Sequence, residues 1–238
     1  MDLRRELVRW TVLAPVVLLL SLSALAQSPA SSSSVKHAEK PVAPANASLD
    51  SGSVANGVYT NKTLALSCKI PPGWVLRTEE MSAREEQKEA EKEEKKQGDA
   101  AAQLPSTPAS SAGAKVLLAA FSRPPEAHAP DINASIIIAA ESAASYPGLK
   151  EAAQYFFPLT EVAKAQGFTA DEDPYEIAIG ARTLVRGDFR KNVGTRVMRQ
   201  STLAMLSHGY AISITVIGGT DDEVEDLVDG LTFTPSGK

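Results

Sequence analysis

Six basic residues crowd into residues 181–200 of a chain whose formal net charge is −5. They are Arg182, Arg186, Arg190, Lys191, Arg196 and Arg199, and Asp188 is the single acid among them. Side chains alternate between faces along an extended strand, so Arg182, Arg186 and Arg190 would share one. Planar guanidinium groups grip carboxylates and phosphates through paired hydrogen bonds. The spacing therefore predicts a surface for an anionic partner. The competing reading is a solvated sheet face whose arginines lie over their neighbours.

Other chemistries find less support. His37, His128 and His208 lie far apart, and none has a second His or Cys at ligand spacing, so no zinc site is expected. No G-x-S-x-G elbow, G-x-G-x-x-G turn or P-loop occurs, and no cofactor is expected. A serine triad has no fixed chain order, which leaves a hydrolase without a recognisable motif as the alternative to a binding protein. Asp171-Glu172-Asp173 offers oxygen ligands but lacks the spaced loop that holds calcium. Asn46, Asn61 and Asn133 open N-x-S/T triplets, which matter only in a eukaryotic secretory pathway. The acidic balance excludes a general nucleic-acid binder, which needs a basic face to release counterions.

The N-terminus carries the marks of an export signal. Arg4, Arg5 and Arg9 precede an apolar run over 12–22, and Ala24-Leu25-Ala26 forms an A-x-A site that places the cut before Gln27. The Arg4-Arg5 pair also resembles a twin-arginine signal. A retained anchor is the competing reading, for which the apolar run is short, since a span takes about 20 residues. Residues 1–26 are thus expected to be removed, which leaves no transmembrane span and an extracytoplasmic protein, periplasmic or secreted. The only cysteine, Cys68, cannot form an intramolecular bridge there.

Behind the signal, residues 27–56 are rich in Ser, Ala and Pro and poor in large apolar side chains. Such a stretch buries too little surface to offset ordering entropy, and a flexible tether is expected. A second break falls at 79–114. Its first half is almost wholly charged, with Glu80 to Arg84 and Glu91 to Lys95 at helical spacing and no apolar stripe; its second half is Ala, Ser, Pro and Gly. This predicts an insertion made of a solvated helix and a low-complexity return.

The remaining residues of 57–238 alternate in ways that predict an α+β domain. Leu64, Leu66, Cys68 and Ile70 share one face of a strand that Pro71-Pro72-Gly73 ends, so Cys68 reads as a buried thiol and Trp74 as a core anchor. Strands are expected at 115–121 and 132–140, then at 175–179 continuing into 181–189, at 195–206 and at 210–217. A helix is expected over 147–166, with Leu149, Ala152, Ala153, Phe156, Leu159 and Ala163 along one side and a kink or split at Pro158. The last helix opens on a Thr220…Glu223 capping box and carries Val224, Leu227, Val228 and Leu231 as its stripe, and 231–234 would return as a short edge strand. This order predicts an antiparallel sheet covered by helices.

Gly57-Val58-Tyr59-Thr60-Asn61, Leu64-Ala65-Leu66 and Ile70-Pro71-Pro72-Gly73-Trp74, with a final Leu231-Thr232-Phe233, resemble the PsbP-like and DcrB-like families. The resemblance implies an α/β/α sandwich and a non-catalytic docking or accessory role outside the cytoplasm. Leucines stand where the pattern has Phe, and the charged insertion is foreign to it. The expected function is an exported binding or accessory protein of the cell envelope whose partner is an anionic envelope component or a protein.

Overall fold

The computed structural model describes residues 49–96 and 114–235, with 88–96 as helix backbone alone. The export signal with Ala24 and Ala26, most of the tether and the low-complexity half of the insertion lie outside the described residues.

Alternating apolar residues build an eight-stranded antiparallel sheet. Its order is β4 (Val75–Leu76), β5 (Lys115–Phe121), β6 (Ser135–Ser142), β11 (Tyr210–Gly218), β10 (Arg196–Ser207), β9 (Arg182–Val193) and β7 (Thr169–Ala170), with β8 (Tyr175–Ile179) also paired to β9. The long meander predicted from 175 onward is its backbone, and β6 begins at Ser135 rather than Ile132.

Each face of this sheet has its own core. Ile136, Ile138, Leu203, Ile212 and Ile214 face one way and Val185, Phe189, Ala204 and Ala211 the other. Helix α2 (Ala152–Ala165) covers the second face with Tyr155, Phe156 and Ala163. Gly187 makes that contact close: a Cβ there would lie 2.5 Å from Cε1 of Phe156. The helix starts at Ala152, later than expected, where the Gln154 side chain accepts the Lys150 and Glu151 amides. It does not split at Pro158. Packing of Tyr155 and Phe156 before the proline and Ala163 after it, on one sheet face, offsets the lost hydrogen bond. Tyr155 is buried although it lay outside the predicted stripe, and Ala153 is exposed.

A second, four-stranded antiparallel sheet covers the first face: β1 (Ser53–Ala55), β2 (Val58–Asn61), β3 (Leu66–Lys69) and β12 (Leu231–Phe233). The single expected sheet is thus two. Order also begins before Gly57, because Leu49 is buried and residues 53–55 pair as a strand. Asn56 and Gly57, at φ 51° and 73°, form the two-residue turn between β1 and β2. Asn-Gly meets the left-handed demand of such a turn at both positions. Leu64, Leu66, Cys68 and Ile70 are all buried, as their alternation predicts. Gly180, in the β8–β9 turn at φ 57°, lets that turn meet β12: a Cβ there would lie 2.4 Å from the Phe233 carbonyl oxygen, and the Ala181 amide donates to that oxygen at 3.0 Å.

Helix α3 (Asp221–Asp229) shares this side, burying Val224, Leu227 and Val228. Thr220 Oγ1 accepts the Glu223 amide at 3.1 Å, while the Glu223 carboxylate reaches the amide of Gly219 at 2.7 Å, one residue before the predicted partner. Helix α1 (Thr78–Lys96) is not solvated all round. Glu85 is buried, Ser82 donates to the Val116 carbonyl at 3.3 Å, and Thr78 Oγ1 accepts the Ala119 amide at 3.0 Å, so the first two turns dock on β5.

Candidate functional site

The arginine-rich strand puts Arg182, Arg186 and Arg190 on one face, but that face does not lie open. Arg186 is only 8% exposed. Its Nε donates to both oxygens of Asp188, at 3.0 and 3.1 Å, and its two terminal nitrogens grip the carboxylate of Glu225 on α3. The Tyr175 hydroxyl completes the cluster by donating to Asp188 at 2.8 Å. Burial disfavours the charge on Arg186, yet the bonds from Glu225 and Asp188 outweigh it and hold the guanidinium above its ordinary value. Burial, then the bond to Asp188, pushes the Tyr175 hydroxyl up to about 12.

The neighbouring cations are engaged as well. Arg190 pairs with Asp171 at 3.1 Å and Arg199 with Asp221. Lys191 donates to the Gln166 carbonyl at 2.6 Å and lies 5.6 Å from the centre of the Phe168 ring. Arg182 and the exposed Arg196 form no salt bridge among the described residues. Four acids, remote in sequence or on the same strand, thus pair Arg186, Arg190 and Arg199, and Arg186 is buried among them rather than presented to solvent.

A second polar cluster serves the other face. Glu141, at the end of β6, is buried, and its oxygens accept the hydroxyls of Tyr155, at 2.8 Å, and Tyr146. The two rings meet edge to face at 5.2 Å. Burial and the Glu141 charge raise the Tyr155 hydroxyl well beyond the ordinary range, so it serves as a fixed donor. This cluster ties α2 to the sheet. His208 sits in the β10–β11 turn with Nδ1 2.9 Å from Ser207 Oγ. Among the described residues no three His, Cys, Asp or Glu side chains gather as metal ligands, and no helix is long and apolar enough to cross a membrane.

A broad concavity lies where three elements meet: the β1–β2 hairpin, the turn after β3, and the C-terminal end of α3. Backbone bonds stitch these together: the Ile70 amide donates to Gly57 at 2.8 Å, Lys69 to Gly230 at 2.9 Å, and Trp74 to Pro71 at 3.3 Å. The result is an open groove of about 910 Å³. Ile70, Pro71, Pro72 and Trp74 supply an apolar floor, and Val54 and Leu76, 39% and 44% exposed, stand at its side. Asn56, Lys69, Asp226 and Asp229 are its polar rim. Trp74 is half-buried against the core, so the anchor role predicted for it holds on one side, while the other faces the groove. Sequence reading passed over this site. The Asn56-Gly57 hairpin signal that positions β1 was present, at the boundary between the expected tether and the domain.

No family model matches the chain, and no curated protein matches it. Ten chains of solved structure are distantly similar, three of them as follows. LpqN of Mycobacterium tuberculosis, involved in cell envelope biogenesis, is 14% identical over 71% of this chain and 83% of its own, with a TM-score of 0.33. PA94 of Pseudomonas aeruginosa, of unknown function, is 18% identical over 42% of this chain and 68% of its own, with a TM-score of 0.31. A Bacteroides thetaiotaomicron protein is 11% identical over 73% of this chain, which spans 46% of its length, with a TM-score of 0.34. The PsbP-like and DcrB-like resemblance finds no matching family model; distant structural similarity to proteins that include an envelope protein is what stands.

Proposed function

We propose that this protein is an extracytoplasmic, non-catalytic binding or accessory module, and that the groove beside Trp74 is its working surface. The carrying observation is the chemistry of the lining. Apolar side chains form the floor, and the charged groups Lys69, Asp226 and Asp229 stand at the rim. An aromatic anchor with a polar rim is the composition of a protein-docking surface. The export pattern of residues 1–26 supports the compartment.

Site-specific photo-crosslinking in the native envelope tests the reading. A photoreactive residue at Leu76 should capture one identified protein, and Trp74→Ala should abolish that product. The same probe at Phe157, 80% exposed on α2, should not capture it. Equal capture from Phe157, or none from Leu76, would overturn the groove as the surface.

A further inference from the structure

We infer that the groove takes an extended segment of a partner protein, carrying apolar residues flanked by Lys or Arg, which adds as a strand along the free edge of β1. This rests on the groove being the working surface.

Two sheet edges with no partner strand among the described residues border the groove: there, strand β1 pairs only with β2, and β4 only with β5. All three β1 residues are exposed. A two-residue hairpin loop closes on a hydrogen-bonded pair, here Ala55 and Val58. Antiparallel alternation then turns the Val54 N–H and C=O away from β2, toward the open side. An exposed edge of this kind is a template for backbone addition. Val54 and Leu76, two of the four large apolar side chains left exposed among the described residues, flank it and would meet the incoming apolar residues.

Charge selects the flanking residues. Asp226 and Asp229 are exposed, line the groove, and form no salt bridge among the described residues. They stand at the C-terminal end of α3, whose last turn has no basic residue. The helix dipole adds roughly half a negative charge at that end. Lys69 opposes this with a single positive charge, so the rim remains negative. A cation placed there relieves both the carboxylates and the helix terminus.

Fluorescence anisotropy on the full chain gives the test, with a labelled peptide of sequence KVKIKVK. It should bind at least tenfold more tightly than EVEIEVE. N-methylation of its central residue, which removes a backbone donor and leaves charge unchanged, should weaken it tenfold. Val54→Pro should do the same, because that N–H points off the edge and takes no part in the β1–β2 ladder. Asp226→Lys with Asp229→Lys should reverse the charge preference. Equal binding of the methylated peptide would overturn strand addition even where Leu76 crosslinking still marks the groove. Absence of saturable binding by any of these peptides would overturn the proposal. Self-association of the chain that Val54→Pro abolishes would assign the edge to a second copy instead, and would equally overturn it.

Discussion

Arg186 on β9 and Glu225 on α3, 39 residues apart in sequence, are joined through both guanidinium terminal nitrogens. The pair fastens the last helix to the sheet, and Asp188 holds the same arginine from below. Breaking a buried pair by removing one partner costs about 3–5 kcal/mol, and less where one member is exposed to water. The Glu225 side chain is 53% exposed, so Glu225→Ala should cost about 1–2 kcal/mol. Arg186→Glu should be far worse, since it sets a third carboxylate between Asp188 and Glu225. Thermal unfolding by circular dichroism should show loss of the folded state for Arg186→Glu, while Arg182→Glu and Arg196→Glu stay near wild type. A midpoint for Arg186→Glu within a degree or two of wild type would sink this account.

Gly187 is held open by the Phe156 ring that fills the space beside it. Overpacking a well-filled site costs about 1–3 kcal/mol, and Gly187→Ala should lose that much in urea unfolding. Truncating Phe156 alone should cost about 3–5 kcal/mol. In the double variant Gly187→Ala/Phe156→Ala the added methyl enters the vacated space, so the combined cost should fall below the sum of the two. Strict additivity would mean the two residues do not share that space.

The Cys68 thiol is fully buried, and burial pushes it from the ordinary 9.0 up to about 12. Tyr59 moves from 10.0 to about 12, chiefly by burial. Both groups keep their protons in the folded chain at a pH where the unfolded chain releases them. The unfolded state therefore binds fewer protons between pH 9 and 12, and stability falls with rising pH across that window. It is fully present below the unfolded values. Urea unfolding at pH 8 and at pH 10 should show the decline, and Cys68→Ala should flatten its early part. The thiol should react with Ellman's reagent only after unfolding. Rapid reaction of the native chain would contradict the burial.

Deletion of the whole insertion, residues 79–114, should lower the melting midpoint by several degrees, because the first turns of α1 carry buried Glu85 and the Ser82 bond to β5. Replacing only residues 90–113 by a shorter Gly/Ser linker should leave the midpoint nearly unchanged, since loop closure depends weakly on length. Equal midpoints for the two deletions would show that α1 contributes nothing to the core.

Sequence alone determined whatever depends on near neighbours. Alternation put Leu64, Leu66, Cys68 and Ile70 on the buried face, located the strand Lys115–Phe121 and returned Leu231–Phe233 as an edge strand. Thr220 and Glu223 marked the start of the last helix because capping acts within one turn. Tertiary structure decided the rest. The basic strip was real as a sequence of charges, but Asp171, Asp221 and Glu225 reach it only through the fold, and Coulombic pairing follows distance in space rather than along the chain. Tyr155 was passed over because its partner, Glu141, belongs to a strand before the helix. The groove as a whole has no sequence signature, although the Asn56-Gly57 turn that positions its edge strand does. Its edge strand, its Pro-Pro-Gly-Trp floor and its acidic rim come from three separate stretches, and only the packing of two sheets and a helix brings Val54, Trp74 and Asp226 around one space.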